Sequence, residues 1–264
     1  MRVGIIGATG WLGSALGAQL LGRGMVRPSD LVLANRSGPR ADYHGHADVV
    51  WASDTDDLVV ASDVVVVSVR PQDWPALRLH APGRLVVSFM AGVSLDQLAA
   101  CGGRIVRAMP NAAAEIGRSY SPWMAGPAVT DQDRATVAWL LSAIGTEDEL
   151  ADERQIALMT AVPGSGAAYP ALMAVALADF LRGEGVADAI AWRAAEAVVC
   201  DGGQLLQGRI ADAPALVAAY LDYAGTTAAG IDAARAAGFD ASIRRAMQAA
   251  TDAAIRMAAG SDEG

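Results

Sequence analysis

The chain has 264 residues, 53% of them hydrophobic and 5% aromatic, with a formal net charge of -9. That length supports a sizeable core in one or two domains, and the acidic balance, with no basic stripe, argues against a nucleic-acid partner. All 20 basic residues are arginine, which excludes a Schiff-base lysine, a P-loop lysine and the Tyr-x-x-x-Lys pair of short-chain dehydrogenases.

In chain order, the first element is an apolar strand, Val3-Gly4-Ile5-Ile6. Gly7-Ala8-Thr9-Gly10-Trp11-Leu12-Gly13 reads as the turn into a helix that runs to about Leu21, and Leu31-Val32-Leu33-Ala34 reads as a second strand. Strand, glycine turn, helix and strand together make a dinucleotide-binding βαβ unit. Its glycines let backbone approach a pyrophosphate, and the helix start offers unpaired N–H groups and the positive end of its dipole. Gly7, Ala8, Thr9, Gly10, Trp11 and Leu12 are therefore candidate cofactor contacts. A carboxylate after the second strand would suit the ribose of NAD. Here Asn35, Arg36 and Ser37 stand in that place and suit a 2′-phosphate, so NADPH/NADP+ is the expected cofactor.

The next strands are Val64–Val69, Leu85–Ser88 and Ile105–Arg107, with a minor one at Asp48–Trp51. Their short, almost continuously apolar runs fit a mostly parallel, doubly wound sheet covered on both faces. Ala125–Pro127 reads as a turn, and Thr130 to Gly145 as an amphipathic helix capped by Thr130 or Asp131. His44-Gly45-His46 lies in a loop with no third ligand of matching type, so no metal site is expected. From about Ala151 the strand signals stop. Alanine-rich helices follow at Glu153–Ala161, Ser165–Gly183, Ala187–Arg209, Ala213–Asp222, Thr226–Ala237 and Ala241–Ala258, with fraying at the last residues, Ser261 to Gly264.

The expected domains are 1–150, binding NADP, and 151–264, helical. Several of the helices are apolar nearly all round, and a domain this small has too little interior to bury them. A homodimer through the C-terminal helices, or a higher oligomer, is the expected remedy. No apolar run is read as reaching the ~18–20 residues that span a bilayer, so no membrane partner is expected. Nor is a signal peptide, because the chain starts in a strand. Cys101 and Cys200 lack CxxC spacing and are expected to be buried free thiols in a reducing cytoplasm.

Five segments in register resemble the pyrroline-5-carboxylate reductase family over nearly the whole chain. Val69-Arg70-Pro71-Gln72 resembles that family's Val-Lys-Pro-Gln. Ser88-Phe89-Met90-Ala91-Gly92-Val93 resembles Ser-x-x-Ala-Gly-Ile, and Arg107-Ala108-Met109-Pro110-Asn111 matches Arg-x-Met-Pro-Asn. Gly164-Ser165-Gly166-Ala167-Ala168-Tyr169 resembles Gly-Ser-Gly-Pro-Ala-Tyr, and Tyr223-Ala224-Gly225-Thr226-Thr227 occupies the place of the end of Ser-Pro-Gly-Gly-Thr-Thr. The resemblance implies an α/β N-terminal Rossmann domain plus an all-α C-terminal dimerisation domain. It also implies hydride transfer from NADPH to the imine carbon of pyrroline-5-carboxylate, giving proline.

Within that frame Val69, Arg70 and Pro71 follow a strand at its carboxyl end, where ligands of open α/β sheets bind. Ala91 and Gly92 let the nicotinamide approach, Asn111 hydrogen-bonds its amide or ribose, and Met109 with Pro110 either lines the cofactor or packs the core. Gly164-Ser165-Gly166 is read as the start of a long helix whose N–H groups hold an anion, so Ser165 and Gly166 are substrate candidates. Gly225, Thr226 and Thr227 start another helix facing the substrate carboxylate. Thr227 aligns with the family threonine that hydrogen-bonds the substrate nitrogen, and is the candidate catalytic residue by polarisation.

The chain departs from the family at this loop. Asp222-Tyr223-Ala224-Gly225 replaces Ser-Pro-Gly-Gly, which predicts a changed loop conformation. Asp222 and Tyr223 become substrate candidates, since a carboxylate there repels the substrate's own or pairs with an iminium. The glycine turn also carries one extra residue, Thr9. Two further readings follow: a reductase of a different imine or iminium in a specialised biosynthetic pathway, and a non-catalytic NADP-binding regulatory protein.

Overall fold

The computed structural model describes residues 1–258; the fraying expected at the last four residues falls outside them. The chain divides into two compact units, one of residues 1–165 with the segment from Ala249 onward, the other Gly166–Gln248.

The first unit holds one sheet of eight strands. They are β1 (Val3–Ile6), β2 (Leu31–Ala34), β3 (Val50–Trp51), β4 (Val64–Val67), β5 (Leu85–Ser88), β6 (Arg104–Ala108), β7 (Ser119–Ala125) and β8 (Gly145–Glu149), in the order β3-β2-β1-β4-β5-β6-β7-β8. All neighbours from β3 to β6 pair parallel, β7 runs antiparallel to β6, and β8 is parallel to β7. The first six strands have the Rossmann order, which reverses direction between β1 and β4.

Alternation decides the packing. Val3, Ile5, Leu31, Leu33, Val64, Val66, Leu85, Val87 and Val106 point into one buried cluster, and Ile6, Val32, Ala34, Val65, Val67, Val86 and Ile105 into another on the opposite face. A sheet buried on both faces needs continuous apolar runs, which is why these strands are legible in the sequence. The helices of this unit are α1 (Trp11–Gly22), α2 (Thr55–Ala61), α3 (Trp74–Leu77), α4 (Leu95–Ala99), α5 (Asp131–Ser142) and α6 (Glu153–Met159). Thr130 caps α5 through a reciprocal capping box with Asp133.

Two strands escape the apolar pattern. β7 reads SYSPWMA and begins before the turn expected at Ala125–Pro127, while β8 reads GTEDE, with no apolar side chain. β8 lies at the sheet edge. Its Glu147 accepts from the Trp123 indole and its Glu149 from Arg134 at 3.1 Å, so backbone pairing and side-chain bonds replace burial.

The helical elements continue with α7 (Ala168–Gly183), α8 (Asp188–Glu196), α9 (Gly202–Gln204), α10 (Ala213–Asp222), α11 (Thr226–Ala236) and α12 (Phe239–Ala258). Two π turns, Thr160–Gly164 and Ala197–Asp201, extend α6 and α8. The first corrects two expectations. The long helix starts at Ala168, not at Gly164-Ser165-Gly166, because Pro163 is accommodated inside a wider turn. As a result Glu153–Gly183 forms a 31-residue helical stretch, long and apolar enough to cross a membrane by length and composition; its most apolar 18-residue window has a mean hydropathy of 1.4, and 11% of that window is buried within the chain. Cys101 is buried as expected, whereas Cys200 is exposed on the second π turn.

Candidate functional site

At the carboxyl ends of β1, β2 and β4, where the strand order reverses, the first unit opens a cleft of about 650 Å³. Gly7, Thr9 and Gly10 form one wall, Asn35, Arg36 and Ser37 a second, and Val69 and Arg70 a third, so the extra residue Thr9 faces the cleft. The glycines are required by space. Gly7 has φ +83, and a Cβ there would lie 2.4 Å from the Ser68 carbonyl oxygen; a Cβ at Gly13 would lie 2.5 Å from the Gly7 carbonyl oxygen. Gly10 caps α1 with no side chain, and no acidic residue sits in the first turn, so the N–H groups of the helix start remain open to an anion. These features fit a dinucleotide pyrophosphate.

The remaining glycine-turn candidates contribute backbone or support. Ala8 is fully buried and Leu12 packs on the core. Trp11 is exposed, its indole N–H donating to Glu115. Tyr43, which the sequence reading missed, is buried behind the turn. Its hydroxyl donates to the Ala8 carbonyl at 2.9 Å and lies where a Cβ of Gly17 would otherwise come within 2.2 Å. Burial pushes that hydroxyl's pKa up, so it remains a donor. The one sequence sign was a glycine inside α1, which makes room for the ring.

On the second wall the Asn35 amide donates to the Ser37 hydroxyl. Arg36 reaches into solvent, its side chain 83% exposed. Asp73, also missed by the sequence reading, lines the cleft and meets both arginines. It accepts from Arg70 Nε at 3.0 Å and Nη2 at 3.2 Å, and stands 3.8 Å from Arg36 Nη1. The Arg70 hydrogen bonds hold the Asp73 carboxyl below the usual carboxylate range, with both arginine charges adding to the effect. Pro71 starts the short 3-10 turn Pro71–Asp73 that sets Arg70 and Asp73 together.

The candidates after β5 and β6 do not line this cleft. Gly92 has φ +69, and a Cβ there would lie 2.7 Å from the Cβ of Met257, so packing against the end of α12 accounts for the glycine. It borders a separate cavity of about 220 Å³ that also holds Arg107, Glu153 and Thr160. Arg107 is buried and paired with Glu153, which also accepts from the Leu95 N–H at 2.9 Å. Ala91 is half-buried, and Met109 and Pro110 are buried. The Met109 N–H donates to the Pro122 carbonyl at 2.8 Å, which ties it to β7. Asn111 caps the following 3-10 turn by accepting from the Ala113 N–H at 3.0 Å, and its amide donates to the Pro163 carbonyl at 2.9 Å. The Ser165 hydroxyl donates to the Thr160 carbonyl at 3.2 Å, within its own turn.

In the second unit Asp222 ends α10 and Gly225 caps α11 without a side-chain bond, so neither Thr226 nor Thr227 is the cap. This helix start, like that of α1, has no acidic residue in its first turn. Ala224 adopts φ 54, the left-handed conformation that glycine takes without strain. Tyr223 is 85% exposed, and its ring comes within 3.1 Å of where a Gly225 Cβ would stand. Gly166 lies at the start of this unit, in the turn before α7.

Residues 2–92 match the family model described as NADP oxidoreductase, coenzyme F420-dependent, and residues 153–257 match that described as pyrroline-5-carboxylate reductase dimerisation. A pyrroline-5-carboxylate reductase of a Synechocystis strain is 30% identical over 257 residues, covering 95% of this chain and 96% of the relative. The solved 1-pyrroline-5-carboxylate reductase of Streptococcus pyogenes is 26% identical, covering 97% of this chain and 98% of the other with a TM-score of 0.81. The pyrroline carboxylate reductase of Plasmodium falciparum, solved with NADP bound, has the same fold at 20% identity and a TM-score of 0.82, covering 98% of each chain. The chain belongs to the pyrroline-5-carboxylate reductase family.

Proposed function

We propose that this chain is an NADPH-dependent pyrroline-5-carboxylate reductase that yields proline and works as a homodimer in the cytoplasm. The observation that carries the reading is end-to-end likeness to a named reductase, at 30% identity over 96% of that relative, together with a cleft whose glycines and open helix start fit a dinucleotide. When bound, NADPH supplies the hydride that reaches the imine carbon.

The chain's own residues do the rest. In this reading the α1 start receives the pyrophosphate, and Asn35, Arg36, Ser37 and Arg70 receive the 2′-phosphate. Ala91, Gly92, Met109, Pro110 and Asn111 shape the nicotinamide end, Asn111 through the turn it caps. The uncapped α11 start at Gly225 and Thr226 receives the substrate carboxylate, and Thr227 donates to the ring nitrogen. A donor at that nitrogen stabilises the charge that the imine develops as it is reduced. Ser165 and Gly166 keep a minor place, because the Ser165 hydroxyl is committed to Thr160. Ala224, at the place of a family glycine, adopts the left-handed backbone that glycine takes without strain, which supports this substrate over a different imine.

The test is NADPH oxidation by the purified chain with pyrroline-5-carboxylate and with an uncharged cyclic imine. Turnover of the carboxylated substrate, reduced by Thr227→Val, is expected. Turnover of the uncharged imine alone would assign the chain to another imine, and no oxidation with either would indicate a non-catalytic role.

A further inference from the structure

Two carboxylates line the cofactor cleft. Asp54 is committed elsewhere: it caps α2, accepting from the Asp57 N–H at 2.8 Å. Asp73 is turned toward the two arginines that the cleft presents. It engages them unequally. Arg70 is held by two hydrogen bonds across one short turn, whereas Arg36 stands at 3.8 Å, too far for a hydrogen bond, with its side chain 83% exposed.

We propose that Asp73 sets the cofactor selectivity of this cleft, by neutralising Arg70 and drawing on Arg36, and so limits the chain's preference for NADPH over NADH. The proposal rests on the reading that Asn35, Arg36 and Ser37 receive the 2′-phosphate. Two guanidinium groups and one carboxylate leave this cluster a net charge of +1, against +2 for the two arginines without Asp73. The 2′-phosphate is a dianion and meets the Asp73 charge as a repulsion. A ribose hydroxyl carries no charge and does not. The pyrophosphate charge is common to both cofactors, so the penalty that separates them falls on NADPH. Between solvated charges a few ångströms apart, it amounts to roughly a three- to tenfold change in affinity and shrinks as salt screens it. Asp73 does not serve to orient Arg36 for the phosphate, since a single contact at 3.8 Å fixes neither the plane nor the direction of a guanidinium.

The measurement is calorimetric titration of the purified full chain with NADPH and with NADH, for wild type, Asp73→Asn and Arg36→Ala. Asp73→Asn is expected to tighten NADPH roughly three- to tenfold and leave NADH unchanged, with the gain fading as salt is raised. An unchanged NADPH-to-NADH ratio would overturn the proposal, as would weaker NADPH binding, which would make Asp73 an aid to the phosphate site. Arg36→Ala separates this from the underlying reading. Selective loss of NADPH affinity supports the 2′-phosphate assignment; equal loss of both cofactors overturns it whatever Asp73 does.

Discussion

In the first unit, valine, leucine and isoleucine from the central strands fill two clusters, one on each face of the sheet. In the helical unit the buried cluster is Ala178, Ala191 and Ala195, while Leu172, Phe180, Trp192, Leu205 and Ile210 remain exposed. A buried leucine or phenylalanine contributes about 1.5–3 kcal/mol, and an alanine far less. The first unit thus completes its core within one chain, and the cofactor cleft is built from it alone. The second has the composition of a half-core, and its match to a dimerisation model says what the other half is. Apolar character alone does not say where a side chain is buried; the number of layers available in one chain does.

Four substitutions test that contrast, in falling order of effect. Phe180→Asp places a charge on the exposed apolar surface of α7. It is expected to weaken self-association at least about a hundredfold, because an unpaired charge must then be buried; sedimentation equilibrium reads this, and an unchanged oligomer would mean that this face does not meet another copy. In the first unit, Gly7→Ala forces a side chain into a left-handed turn against the Ser68 carbonyl. A loss of about 1–3 kcal/mol of stability and of NADPH binding is expected, with the oligomeric state kept.

Asp133 tests the self-contained core at acid pH. Hydrogen bonds from Arg104, then from Thr130, outweigh burial and hold its carboxyl at about 2, below the ordinary 3.8. The sign follows: a depressed pKa stabilises the fold above the unfolded value and ceases to do so as pH falls toward the folded one. Asp133→Asn should therefore cost about 1 kcal/mol at neutral pH and flatten the loss of stability between those two values. A denaturation series against pH checks it, and an unaltered acid limb would contradict the assignment. The smallest effect is expected for Ala224→Gly, which relieves a left-handed alanine at the α11 start. About 0.5 kcal/mol of net stabilisation is expected by thermal melting, since glycine's own chain entropy offsets part of the gain.

What the sequence disclosed follows the same division. β1, β2 and the strands from β4 to β6 were readable because burial on both faces imposes continuous apolar runs. β8 was not, because GTEDE at a sheet edge is held by pairing with β7 and by Trp123 and Arg134. The helix end expected at Ala161 runs on into the π turn Thr160–Gly164, which no local propensity announces. In the cleft, the glycine turn and Asn35-Arg36-Ser37 were evident from spacing. Tyr43 and Asp73 were not: Tyr43 acts on Ala8 in a distant segment, and Asp73, paired with Arg70 in its own turn, meets Arg36 only because the fold brings the two segments together. Thr227 came to notice only through resemblance, because a threonine in a first helical turn reads as a cap until Gly225 is seen to hold that place.

We propose that the cofactor cleft is complete in one chain while turnover needs the helical unit covered by a second copy. Phe180→Asp, once shown to be monomeric, allows both halves to be measured on one protein: NADPH affinity by titration and pyrroline-5-carboxylate turnover by NADPH oxidation. NADPH affinity within about twofold of wild type is expected, with turnover lost. A monomer that turns over at the wild-type rate, or a folded monomer that no longer binds NADPH, would contradict it.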